Sequence, residues 1–179
     1  MATDLVIQGP ALEAQHAQAL AAITGAVRQS SSRANSARLH DVQRREGVAD
    51  YCEKARLDFA FVPAGRRLAD FRLLAMDMDS TLITIECIDE IADLRGIKRE
   101  VAAVTASAMR GEIDFPESLR RRVALLAGLE VGALQRVYDE RLRLSPGAEA
   151  MIAALKANGV QTLLVSGGFD FFTSRLQAR

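Results

Sequence analysis

The chain has 179 residues, 49% apolar, 5% aromatic and 26% charged, the proportions of a folded globular protein rather than a disordered or fibrous one. At roughly 100–200 residues per domain, that length suits one domain or one with a small appendage. The 23 Lys and Arg balance the 23 Asp and Glu, so bulk charge gives no basis for binding nucleic acid or an anionic membrane.

Residues 5–7, before Gly9-Pro10, read as a short strand, and residues 11–29 as an alanine-rich amphipathic helix. Within it, the uncharged stretch 17–27 is about half of the ~20 residues a membrane span needs. It follows Asp4 and Glu13 rather than a basic segment, so it is not a signal peptide. Ser30-Ser31-Ser32 reads as a flexible break, residues 42–56 as a second helix, and residues 57–62 as a strand before Pro63-Ala64-Gly65. Residues 1–65 are therefore expected to form a small α+β region of two or three strands, with no recognisable chemistry. Cys52 and Cys87 are too few for a disulfide scaffold, and neither they nor His16 and His40 have zinc-site spacing. A reducing cytoplasm is the expected setting.

From Arg66 the character changes. Residues 71–76 form a mostly apolar run that ends abruptly in Asp77-Met78-Asp79-Ser80-Thr81, as suits a strand buried on both faces of a parallel sheet. Residues 159–165 repeat the design and end in Ser166-Gly167-Gly168, after a helix bounded by Ser145-Pro146 and Asn158-Gly159. This is α/β grammar: a partial doubly wound parallel sheet built from residues 66–85 and 145–179. Between the strands, residues 86–95, 98–110, 115–126 and 131–142 read as helices jointed at Gly96, Gly111 and Gly128. A crossover needs only a dozen or so residues, so 86–144 is expected to be a helical cap that excludes water and reads substrate. Two strands fall short of the usual five or six, and the helix from Asp170 stops at Arg179, so an amino-terminal fragment is expected.

Side chains two apart on an extended segment point the same way, so Asp77 and Asp79 are expected together at the carboxyl edge of the sheet, where open α/β sheets bind ligands. Two like charges there call for a cation, and Mg²⁺ takes one or two carboxylates plus phosphate oxygens. Solvated aspartates capping a helix are the plain alternative. A calcium loop fails, because Leu82 stands where its glycine belongs and Ile88 where its twelfth ligand belongs.

On the helix from Phe115, an advance of about 100° per residue puts Phe115, Leu119, Arg122 and Leu126 on one stripe. Arg120 and Arg121 point away, and Glu117 can pair with Arg121. Arg122 is thus centred on an apolar face, where a guanidinium needs an anion: a substrate carboxylate, an internal ion pair, or a snorkelling exit to water. Glu86 reads as a surface helix start, Met109 and Phe115 as core, and Cys87 as a buried packing residue.

Asp77 to Thr81 and Ser166-Gly167-Gly168 resemble the first two motifs of the haloacid dehalogenase superfamily of phosphohydrolases. More closely, residues 77–86, Met109-Arg110-Gly111-Glu112 with Phe115, residues 118–123 and residues 165–169 resemble its phosphoserine phosphatase branch, across about residues 70–179. The resemblance implies hydrolysis of O-phospho-L-serine to L-serine and phosphate, the last step of serine biosynthesis. Asp77 would be the nucleophile that becomes an aspartyl-phosphate, Asp79 the general acid and then base, and both would hold Mg²⁺. It also implies that Ser166 and Gly167 hold phosphoryl oxygens, Glu86 the substrate ammonium and Arg122 its carboxylate, with Met109 and Phe115 walling the pocket. Residues 1–65 are similar in placement to a regulatory extension of bacterial members. ATPases that form an aspartyl-phosphate resemble this pattern with Thr where Asp79 stands, which favours monoester hydrolysis. The family pattern continues with a lysine and an Asp-Gly loop that have no counterpart here, and Lys156 precedes the second motif. This chain alone is therefore expected to be inactive or nearly so. The alternatives are a related phosphotransferase acting on an alcohol such as homoserine, and a non-catalytic amino-acid or phosphate sensor.

Overall fold

The computed structural model describes residues 2–33 and 35–179. It divides into two compact units, Met1–Asp70 and Phe71–Arg179. In the first, β1 (Thr3–Gln8), α1 (Ala14–Thr24), β2 (Arg28–Arg33), β3 (Ser36–His40), α2 (Val48–Ala55) and β4 (Asp58–Pro63) follow one another. The strands form one antiparallel sheet in the order β2-β3-β1-β4. Alternation along β1 and β3 turns Leu5, Ile7 and Leu39, all fully buried, toward Leu20 of α1 and Val48 and Cys52 of α2.

This unit corrects several expectations. Its described residues form four strands, not two or three, and Ser30-Ser31-Ser32 belongs to β2 rather than to a flexible break. The first helix stops at Thr24, where Gly25 takes a left-handed cap, and the second begins only at Val48. β2 escapes a reading by hydrophobic pattern because it is a polar edge strand, paired on one side only among the described residues.

In the second unit, β5 (Leu73–Met76) and β6 (Gln161–Leu164) pair in parallel, Leu73 opposite Gln161 and Met76 opposite Leu164. Helices α3 (Cys87–Arg95), α4 (Lys98–Met109), α5 (Phe115–Leu125) and α6 (Val131–Arg136) fill the insertion, and α6 runs on into a wider turn, Val137–Arg141. Gly96, Gly111 and Gly128 all have positive φ, as joints between helices require. α7 (Ala148–Ala157) precedes β6 and α8 (Asp170–Ala178) follows it. The two connections of the insertion are laced together: Ile83 bridges Leu144 antiparallel, Thr84 N–H donates to Arg143 O at 3.0 Å, and Ser145 N–H donates to Leu82 O at 2.9 Å.

The strands are not buried on both faces, as their composition suggested. Leu73 is 50% exposed and Leu163 47%. Among the described residues they pair only with each other, and the apolar seal lies past the strand ends, where fully buried Met78, Ile83, Ile91 and Phe172 share one core. Replacing Ile91 with Ala is expected to remove about 2–5 kcal/mol of stability. Leu163→Ser should change it by less than about 1 kcal/mol. Urea unfolding of the two variants checks the contrast.

Candidate active site

β5 delivers Asp77 in extended conformation, and its Oδ1 accepts the N–H of Met78 at 2.8 Å. The chain then makes a wide turn, Met78–Leu82, closed where Ile83 N–H donates to Met78 O at 3.1 Å. Asp79 is half-buried, and its Oδ1 accepts the N–H of Cys87 at 2.9 Å. Cys87 opens α3, whose first N–H groups lack helical partners and attract a carboxylate. Ser80 takes a left-handed conformation at φ 51°, and its hydroxyl donates to Glu86 Oε1 at 2.7 Å.

β6 delivers Ser166, whose Oγ accepts the N–H of Gly168 at 3.0 Å. Both glycines of this turn meet close neighbours. A Cβ at Gly168 would lie 3.1 Å from Asp79 Oδ2, and one at Gly167 would lie 3.1 Å from the Phe115 ring. Any side chain at either position would push a carboxylate or an aromatic wall out of place.

One cavity of about 380 Å³ collects Asp77 and Asp79, the Ser166-Gly167 turn, and Glu86, Phe115 and Arg122 from the insertion. Leu119 joins Phe115 and Arg122 there, as the helical stripe required. Arg120 and Arg121 both pair with Glu117, the latter at 2.8 Å. Arg122 is half-buried, and its Nε donates weakly to Ser118 O at 3.4 Å. Among the described residues it forms no ion pair. Met109 does not join the group: it ends α4, is 84% exposed, and does not line the cavity. The Ser80 hydroxyl and the Cys87 N–H escaped the sequence reading. Both contacts arise from the turn folding back on α3, and no spacing rule encodes them.

The donor set fits a hard cation. Asp77 and Asp79 offer carboxylate oxygens to the cavity, and among the described residues no group of three or more His, Cys, Asp or Glu forms a metal cluster. Mg²⁺ accepts such a pair and completes its octahedron with water and phosphate oxygens, whereas zinc requires a fuller protein set.

With this geometry in place, the sequence comparisons are specific. Residues 71–178 match the model for haloacid dehalogenase-like hydrolases, and the chain belongs to that family. Residues 5–48 match a domain of unknown function, DUF4072. Similar curated proteins include the phosphoserine phosphatase of Polaromonas sp., 61% identical over 112 residues, which are 62% of this chain and 48% of that protein. Another is the phosphoserine phosphatase of Archaeoglobus fulgidus, 45% identical over 133 residues, covering 74% of this chain and 38% of that protein. The chain thus spans about half the length, or less, of these relatives. Among solved structures, a HAD family hydrolase from Salmonella enterica serovar Typhi matches with a TM-score of 0.83 at 28% identity, over 99% of this chain and 64% of that one. A probable phosphoserine phosphatase from Vibrio cholerae gives 0.75 at 34% identity, over 99% and 55%. This chain is α/β with a small parallel sheet, and its fold matches that of these neighbours.

Burial, helped by a hydrogen bond to Asp79 and the negative charges around it, pushes the Cys87 thiol far above its usual range, and burial alone raises Cys52. A raised pKa means less thiolate at pH 8, hence slower attack on disulfide reagents. Thiol titration of the native chain at pH 8 should therefore register almost no rapid reaction, and unfolding should release both cysteines.

Proposed function

We propose that the whole protein is a phosphoserine phosphatase of the cytoplasm, hydrolysing O-phospho-L-serine to L-serine and phosphate with Mg²⁺ as the last step of serine biosynthesis. The observation that carries this reading is a single cavity holding two kinds of group. Asp77, Asp79 and the Ser166-Gly167 turn suit a phosphate ester, while Glu86 and an Arg122 without an ion pair among the described residues suit the two charges of an amino acid. The names of the relatives support the same substrate.

In this proposal Asp77 attacks phosphorus in line, and its bond to phosphorus forms as the bond to the serine oxygen breaks. Asp79 gives that oxygen a proton, because an alkoxide leaves poorly without one. The Cys87 N–H occupies Oδ1 of Asp79, which leaves Oδ2, beside Gly168, to carry the proton. Asp79 then takes a proton from water, whose oxygen attacks phosphorus and releases phosphate and free Asp77. The Ser166 hydroxyl and Gly167 N–H hold phosphoryl oxygens. Glu86, steadied by Ser80, receives the ammonium group, and Arg122 receives the carboxylate. Residues 86–144 act as a cap, with Phe115 over Gly167 excluding water. Asp77 and Asp79 would hold Mg²⁺, which would neutralise charge on Asp77 and on the phosphoryl group.

Arg122 is the single cation lining the cavity among the described residues. Neutralising a developing anion is worth on the order of 10²–10³ in rate, so the 179-residue chain by itself is expected to turn over slowly. Binding is the cleaner test. Phosphoserine with Mg²⁺ should raise the Tm of the chain, and Arg122→Ala should abolish the shift. Equal stabilisation by phosphoethanolamine, which lacks the carboxylate, would overturn the substrate assignment. In the whole protein, phosphate release measured colorimetrically should fall on the order of 10³-fold or more with Asp77→Asn.

A further inference from the structure

The amino-terminal unit contains a hydrogen-bonded chain of three side chains that the phosphatase reading leaves unused. Asp4, on β1, is only 2% exposed. Its Oδ1 accepts the Asp41 N–H at 3.2 Å, and its Oδ2 accepts Arg38 Nε at 2.8 Å and lies 3.2 Å from His40 Nδ1. At the far edge of the same ring, His40 Nε2 lies 2.8 Å from Ser30 Oγ. Sheet register explains the alignment. Arg28 faces His40 and Ser30 faces Arg38 across β2 and β3, so Ser30 and His40 are diagonal neighbours on one face. Leu39, the residue between Arg38 and His40, turns to the opposite face and the core.

The charge on Asp4 assigns the proton it shares with His40. Burial raises the pKa of Asp4, but the Asp41 N–H and the Arg38 guanidinium outweigh it and hold the carboxyl below its ordinary value. An ionised carboxylate only accepts, so the hydrogen between Asp4 and His40 sits on Nδ1. In the neutral ring Nε2 is then an acceptor, aimed at the Ser30 hydroxyl. A nucleophile within reach of a base, itself oriented by a buried carboxylate, is the arrangement that activates serine. Ser30 is exposed to solvent, and the β2–β3 register shifts just beyond it.

We propose that Ser30 is a second nucleophilic centre, a serine that accepts an acyl group from activated esters or thioesters, with His40 as its base and Asp4 as the positioning residue. Ser30 Oγ attacks the acyl carbon, and the new O–C bond forms as the bond from that carbon to the leaving oxygen or sulfur breaks. The hydroxyl proton passes to His40 Nε2 and then to the leaving group, giving O-acyl-Ser30 and a neutral imidazole.

The test uses the full chain and p-nitrophenyl acetate, with nitrophenolate release followed by absorbance and acetylation mapped by peptide mass spectrometry. Acetylation of Ser30 should run about 100-fold faster than that of exposed Ser174 on α8, the scale of a general base. His40→Gln, once its circular dichroism matches the parent, should lose most of that advantage, and Ser30→Ala should lose the labelled peptide. Ser30 reacting no faster than Ser174 in the unmutated chain overturns the proposal without any variant. An unchanged Ser30 rate in folded His40→Gln overturns it as well.

Discussion

Two carboxylates set two residues apart at the end of a strand repel each other, and the cavity exists because backbone donors hold both in place. Met78 N–H fixes Asp77 and Cys87 N–H fixes Asp79, each through Oδ1. The second bond does more than orient an acid. It ties the end of β5 to the first turn of α3, so the helical insertion begins at a fixed distance from the sheet. Glu86 is the next residue back, and the Ser80 hydroxyl holds it against the same turn. Groups suited to a phosphate and to an ammonium are thereby locked together by one short stretch of chain.

The stiffness of that stretch has an apolar origin. Alternation sends Asp77 and Asp79 toward the cavity and Met78 between them into the core, where it is fully buried with Ile83, Ile91 and Phe172. The loop therefore cannot swing its carboxylates without exposing Met78. Phe172 belongs to α8, the helix that follows the Ser166-Gly167 turn, so the same apolar centre anchors both loops. Close packing of this kind holds polar groups to tolerances that hydrogen bonds alone would not.

What could be read from the sequence follows the same division between local and tertiary causes. The helices of the insertion were legible because Gly96, Gly111 and Gly128 mark turns that need positive φ, a local property. The stripe of Phe115, Leu119 and Arg122 was legible because helical periodicity alone decides which face they share. Asp77 and Asp79 stood out by their position at a strand end. β2 was missed because its partner, not its own apolar content, makes it a strand. The bonds from Ser80 to Glu86 and from Cys87 to Asp79 depend on a turn whose path no short-range rule specifies. Met109 shows the converse: a residue singled out by family resemblance ends a helix, stands exposed and does not line the cavity.

The laced connections at Ile83 and Leu144 bear on how the second unit deforms. Because outgoing and returning chains are hydrogen-bonded to each other, neither can slide along its length unless both do. Shear at this neck is resisted by the ladder, while twisting about its long axis breaks no bond. The neck thus resists sliding more than torsion, and any rotation of the insertion about it moves the Phe115 ring against Gly167.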